Sequence, residues 1–210
     1  DTTSVEKNDS WKFKFSAEIS PQVYYDTRQV LSAREDELLF YPLPVVMDSE
    51  GNDLNAQPSL NMLAITSRLG LKIQSPDVLG AKTTGFLEAD FSGSTNSGIN
   101  MFRLRHAYVN MEWRTSELLV GQYWTPLVLP EIMPGTRPLN MGVPFHPYSR
   151  YVQARFLQHI GDFELIGVAA FQLDNKSSGP DGMNTQYLRH SCIPELTLQL
   201  RYNTDRVFVG

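Results

Sequence analysis

Apolar and polar residues alternate with a period of two along most of this chain. In residues 11–25, Trp11, Phe13, Phe15, Ala17, Ile19, Val23 and Tyr25 share one face; Lys12, Lys14, Ser16, Glu18, Ser20, Gln22 and Tyr24 share the other. Alternation of that length predicts a strand with one greasy and one polar side. Pro21 has no N–H to give a neighbour, which predicts a bulge or an edge there. Residues 60–74 repeat the pattern, with Asn61, Leu63, Ile65, Ser67, Leu69, Leu71 and Ile73 on the expected apolar face and Arg68 and Lys72 on the polar one. Residues 81–92 set Thr83, Gly85, Leu87, Ala89 and Phe91 against Lys82, Thr84, Phe86, Glu88 and Asp90. In residues 101–114, Arg103 and Arg105 share a face opposite Phe102, Leu104, His106 and Tyr108, and beyond Tyr108 the alternation blurs. Further strands are expected at 117–124, 151–159, 163–173 and 195–202, where Glu195, Thr197, Gln199 and Arg201 oppose Leu196, Leu198, Leu200 and Tyr202. A ninth begins at VFVG.

The spacing of these segments carries more than any one of them. The connections after the second, fourth, sixth and eighth strands are tight, and those after the first, third, fifth and seventh are longer. Sorting by parity is the layout of an antiparallel up-and-down barrel with one decorated rim. A sandwich has no reason to sort its loops this way. The longest connections are 26–59, expected as an outer loop with a small hairpin around Gly51-Asn52, and the proline-rich 125–148. Residues 1–10 are polar and expected to be disordered.

Composition narrows the choice slightly. The 210 residues are 41% hydrophobic and 20% charged, enough for one domain with a large core. No apolar run approaches the roughly 18 residues of a membrane helix, but a barrel strand needs only about 10 alternating residues. The chain opens without a basic segment and apolar stretch, so any signal peptide is expected to have been removed already. A net charge of −5 argues against nucleic acid as a partner. Cys192 stands alone, so no disulfide framework or paired-cysteine metal knuckle is expected. His106, His146, His159 and His190 fall in four segments without metal-ligand spacing. Asp48–Asp53 has its glycine misplaced for a calcium loop and reads as a turn. There is no nucleophile elbow, phosphate loop or dinucleotide fingerprint, and Glu88 and Asp90 need no catalytic explanation on a charged face. No enzyme, cofactor or metal is expected.

Four segments in order, SRLGLKI at 67–73, FLEADF at 86–91, FRLRHAYV at 102–109 and LLVGQYWTP at 118–126, resemble the general porin superfamily of Gram-negative outer membranes, in its Bacteroidetes version. The resemblance covers roughly residue 11 to the end. It implies an all-β transmembrane barrel, a homotrimer in the full-length protein, and a third long loop folded inward to narrow a pore. About eight strands and a stub are then the N-terminal part of a barrel of about sixteen strands. An open half-barrel leaves edge groups unsatisfied in lipid, so a piece of a longer protein is expected.

On that reading Lys12, Lys14, Arg68, Lys72, Lys82, Arg103, Arg105, Arg155 and Arg201 line a wet lumen, opposed by Glu18, Glu88, Asp90 and Glu195. Arg103 and Arg105 resemble the arginine ladder of porin walls. Glu131 and Arg137 become candidate constriction residues in 125–148. Facing charges of opposite sign set a transverse field and select among small polar solutes. Trp11, Trp113, Trp124, Tyr25, Tyr108, Tyr123 and Tyr202, near strand ends, are expected at the membrane interfaces. The partners are then the lipid bilayer and the solutes. The alternative is a closed eight-stranded, lipocalin-like barrel binding a small apolar molecule, with Leu, Phe and Ile inward and the charges outward. Whether Phe13, Leu87 and Leu198 meet lipid or a cavity separates the two.

Overall fold

The computed structural model describes residues 10–93, 95–133, 149–173, 178–204 and 207–210. Fifteen strands lie among them: β1 (Lys12–Glu18), β2 (Gln22–Asp26), β3 (Val30–Ala33), β4 (Leu38–Pro42), β5 (Ser59–Leu63), β6 (Arg68–Gln74), β7 (Lys82–Asp90), β8 (Arg103–Glu112), β9 (Ser116–Trp124), β10 (Arg150–Ile160), β11 (Phe163–Phe171), β12 (Ser178–Gly179), β13 (Gly182–Met183), β14 (Glu195–Asn203) and β15 (Phe208–Val209). One short helix, α1 (Gln186–Ser191), precedes β14.

Nine strands form one sheet in the order β1-β6-β7-β8-β9-β10-β11-β14-β15. Every neighbouring pair is antiparallel. This is an up-and-down meander, with tight connections at one rim and long ones at the other, as the loop parity predicts. At Pro21, where a bulge or an edge is expected, the strand is instead interrupted, and β1 and β2 are separate. A matching break at residues 64–67 separates β5 from β6, and β2 pairs with β5 beyond it. Ser20 N–H donates to Ser67 Oγ at 3.0 Å and Ser67 N–H to Ala64 O at 3.1 Å, which closes the turn.

That turn corrects one assignment of faces. Gln22 stands opposite Leu63 and Glu18 opposite Arg68. Leu63 and Asn61 therefore share the polar face, while Leu60 and Met62, 68% and 71% exposed, continue the apolar face of Leu69. The outer connection also folds differently from the expected hairpin. Met47 and Asp53 bridge around Gly51-Asn52, and a separate hairpin, β3–β4, turns through Arg34, Glu35 and Asp36.

One face of the sheet is apolar and uncovered. Phe13, Phe15, Leu69, Leu87, Leu104, Val109, Val120, Phe156, Leu196, Leu198 and Leu200 are all exposed on it. Each Leu or Phe left in water forfeits about 1.5–3 kcal/mol of burial, and a continuous apolar patch of this extent marks a surface that meets lipid or protein. In lipid the cost vanishes. Phe13, Leu87 and Leu198 therefore lie on an open face, Leu198 in a shallow apolar hollow with Phe156 and Leu196, against the enclosed inward-facing arrangement that a lipocalin-like barrel requires. On the opposite face Ile166, Val168 and Ala170 form a small buried cluster with Tyr151 and Leu157.

Candidate functional site

The polar face is the candidate site. In-register pairing lines up Glu18, Arg68, Asp90 and Arg103 across four strands near the long-loop rim, with signs alternating. Asp90, 1% exposed, holds Arg103 through two hydrogen bonds, from Nε at 2.9 Å and from Nη2 at 2.7 Å. Its Oδ2 also accepts from Arg105 Nη1 at 3.0 Å, and Arg105 Nε reaches Glu88 Oε1 at 2.6 Å. A fork-to-carboxylate pair is among the stronger polar contacts a protein makes. Beyond it, Ser92 N–H donates to Asp90 Oδ1, and Ser92 Oγ donates to Glu37 of the outer connection.

β8 carries an extra residue. Glu88 faces His106 and Ala89 faces Leu104, so Arg105 has no cross-strand counterpart. A bulge of this kind shifts the phase of everything after it. His106 and Tyr108 thus join Arg103 and Arg105 on the polar face, contrary to the regular alternation expected from the sequence. His106 lies 5.2 Å from Trp124 and 5.6 Å from Tyr123, and Tyr108 lies 5.2 Å from Tyr123. Tyr108 and Tyr123 therefore lie on the polar face and not in a girdle on the apolar one. Trp124 packs under Arg150, whose guanidinium carbon is 4.9 Å from the ring. Gly121, opposite Tyr108, makes this packing possible: its φ is +135°, and a Cβ there would come within 2.2 Å of Ala107 O.

Lys14 stands directly opposite Lys72, and Lys12 opposite Gln74. Like charges in register repel, which is tolerable only in a solvated setting. Lys82 faces Glu112, which in turn faces Glu117. Glu195 faces Ala170 and accepts from Gln172 Nε2 at 2.9 Å.

Arg155 and Arg201 line a second polar area, a pocket of about 270 Å³ with Tyr108, Tyr123, Glu117 and Glu164. Pro130 and Glu131 enter it from the connection after β9. That segment is organised locally: Thr125 N–H donates to Ser149 O at 2.9 Å, Val128 is 4% exposed, and Pro130–Ile132 forms a single 3₁₀ turn. Glu131 Oε1 accepts from Arg201 Nη1 at 3.2 Å. Arg137 lies outside the described residues, as does the polar segment 1–9. Among the described residues no group of three or more His, Cys, Asp or Glu is placed to hold a metal.

Outside the sheet, in the long outer connection, Arg28 Nη1 meets Asp53 Oδ2 at 2.5 Å. That hydrogen bond, with the Val46 and Asn55 N–H groups on Oδ1, holds the Asp53 carboxyl down to about 2. Asp48 is likewise lowered by hydrogen bonds from Asn52, Glu50 and Gly51.

A two-faced meander of this kind suits the wall of an outer-membrane barrel. The model of the family described as "DcaP outer membrane protein" matches residues 5–209. The chain belongs to that family. A DcaP-family protein resides in the outer membrane, which fits the apolar face. A solved structure, the outer membrane channel DcaP of Acinetobacter baumannii, shares the fold with a TM-score of 0.61 at 20% identity. The alignment covers 95% of this chain and 52% of that one, so the chain spans about half the length of the solved relative. No curated protein matches the chain. The resemblance read from the four segments thus holds at the level of a porin-like outer-membrane family, and the narrower Bacteroidetes type is replaced by the DcaP family.

Proposed function

We propose that this chain forms part of the wall of a water-filled channel through which small polar or charged solutes diffuse passively. The observation that carries this reading is the partition of the sheet: lipid-compatible residues on one face, and on the other a charged, aromatic-lined surface with Glu131 folded over it. Arg103, Arg105, Arg68, Lys72, Lys82, Lys12, Lys14, Arg155 and Arg201 supply positive charge along the path; Glu18, Glu88 and Asp90 supply negative charge. The resulting field selects by charge, and no bond is made or broken.

Residues 26–59 serve as an outer loop at the mouth, and residues 125–148 as the constriction, with Glu131 at its described end. The whole protein works as a trimer in the bilayer, and its similarity to a channel of known structure supports the transport reading.

Liposome swelling tests it. Vesicles carrying the full-length protein swell in iso-osmotic solutions of small neutral sugars at a rate that falls steadily with solute size. Absence of swelling with every solute contradicts the proposal.

A further inference from the structure

The ladder between β8 and β9 stops short of the long-loop rim. Its last rung pairs Ala107 with Gln122. Continued in register, it would set His106 opposite Tyr123 and Arg105 opposite Trp124. Each strand keeps its other neighbour through this stretch: Arg103, Leu104 and His106 pair with β7, and Tyr123 and Trp124 pair with β10. The two strands part beside the irregularities of the wall, the Arg105 bulge and Gly121, whose φ is +135°. The result is a seam that runs from the polar face to the apolar one.

Lipid offers no hydrogen-bond partner, so backbone groups released from a ladder must be satisfied by the protein itself. Gln122 does this. Register places its side chain on the apolar face, between Ala107 and Val152, where an amide is otherwise out of place. Its Nε2 donates to Leu104 O and to Arg105 O, both at 3.0 Å, the two carbonyls at the bulge. On the polar side rings close the same gap. His106 packs on Tyr123 and Trp124, and the Arg105 guanidinium carbon lies 6.0 Å from the Trp124 ring.

We propose that Gln122 seals this seam. Its amide stands in for the missing rungs, keeps water out of the apolar face, and fixes Arg105 on the polar one. Gln122 is a positioning residue: it acts on solutes through Arg105. The effect on solutes rests on the channel reading above, and the seal itself does not.

Cysteine labelling of the full-length protein in lipid vesicles tests the seal. The probe is Ala107→Cys, on the apolar face beside the seam, in a Cys192→Ser background. A charged, water-soluble thiol reagent leaves this cysteine unmodified while Gln122 is present. Gln122→Met keeps the length of the side chain and loses the donor, so the two carbonyls draw in water and the protection is lost. Gln122→Lys supplies a donor of similar reach and restores it. Val152→Ala, a neighbour without a hydrogen-bonding side chain, keeps the protection, which separates the seal from a general loss of stability. Where Gln122→Met fails to insert, Gln122→Asn, with its amide held short of the carbonyls, gives partial labelling. In planar bilayers Gln122→Met also shifts the reversal potential toward cations, because Arg105 no longer offsets Glu88 and Asp90. A probe labelled with Gln122 in place, one that stays protected in the Met or Asn variant, or one labelled equally in the Val152→Ala protein overturns the seal and leaves the channel reading standing. Silence from the unaltered protein in the bilayer overturns the channel reading and leaves the seal to the labelling result.

Discussion

Arg105 is the residue that puts His106 on the polar face. Glu88 stands opposite His106 and Ala89 opposite Leu104, so the strand absorbs Arg105 as a bulge and its later residues change sides. The bulge is held by the contacts of Arg105 with Glu88 and Asp90, so it serves both the charge network and the register. It predicts that Tyr108→Cys reacts with a charged, water-soluble thiol reagent while Val109→Cys does not, both in a Cys192→Ser background because Cys192 is itself exposed. A reversed pattern would mean that β8 alternates regularly.

Asp90 is the centre of the rim network, with two arginines on one carboxylate at 2.7 and 3.0 Å. Asp90→Asn keeps the shape and removes the charge, leaving Arg103 and Arg105 short of compensation. The expected loss is about 3 kcal/mol of stability, read as a lower urea midpoint in detergent. A change within about 0.5 kcal/mol would show the network to be solvated and weak.

Leu198 and Thr197 are adjacent in sequence and on opposite faces of β14. Leu198→Arg places a charge in the apolar band and costs about 2–4 kcal/mol if the residue sits near the bilayer midplane. Thr197→Arg lies on the polar face, where a long side chain can reach past Val168 to the charged groups beyond it, and costs less, within about 1 kcal/mol of the unaltered protein. Folding yield into lipid vesicles reads the difference. Equal tolerance at both positions contradicts the assignment of faces.

The Arg28–Asp53 clasp gives the outer connection an acid limit. Asp53 titrates at about 2 in the folded loop, below its ordinary value near 4. A depressed carboxylate contributes stability that is complete above its ordinary pKa and is lost as pH falls toward the folded value. The clasp is therefore intact at pH 5 and above and opens between about 4 and 2. The Val46 and Asn55 amide resonances, both hydrogen-bonded to Asp53 Oδ1, report it. Arg28→Gln moves their midpoint upward; an unmoved midpoint removes Arg28 as the main cause.

Much of the fold is legible because period-two alternation needs only local information. The faces of β1, β7 and β14 follow from it directly, as does the sorting of tight and long connections. Three features escape it. The turn at residues 64–67 contains no glycine or proline to mark it, so Leu63 reads as apolar-face. The Arg105 bulge depends on partners in β7, and the only local trace of it is the blurred alternation after Tyr108. The β3–β4 turn runs through Arg34, Glu35 and Asp36 at φ of 58°, 53° and 64°, none of them a glycine. Contacts with the next connection hold it, among them Arg34 N–H donating to Asn96 Oδ1 at 2.6 Å.

The same divide runs through the site. The wall charges are visible as the polar half of each strand. The pairing of Glu131 with Arg201 is not, because nothing local to either residue names the other.

The most direct test of the account is ion current through the full-length protein in a planar bilayer. Stepwise openings, each adding a fixed increment of current in simple salt, are the predicted result. A membrane that stays silent while the same purified protein takes up an apolar fluorescent ligand would contradict it, and would turn the two faces of this sheet inside out.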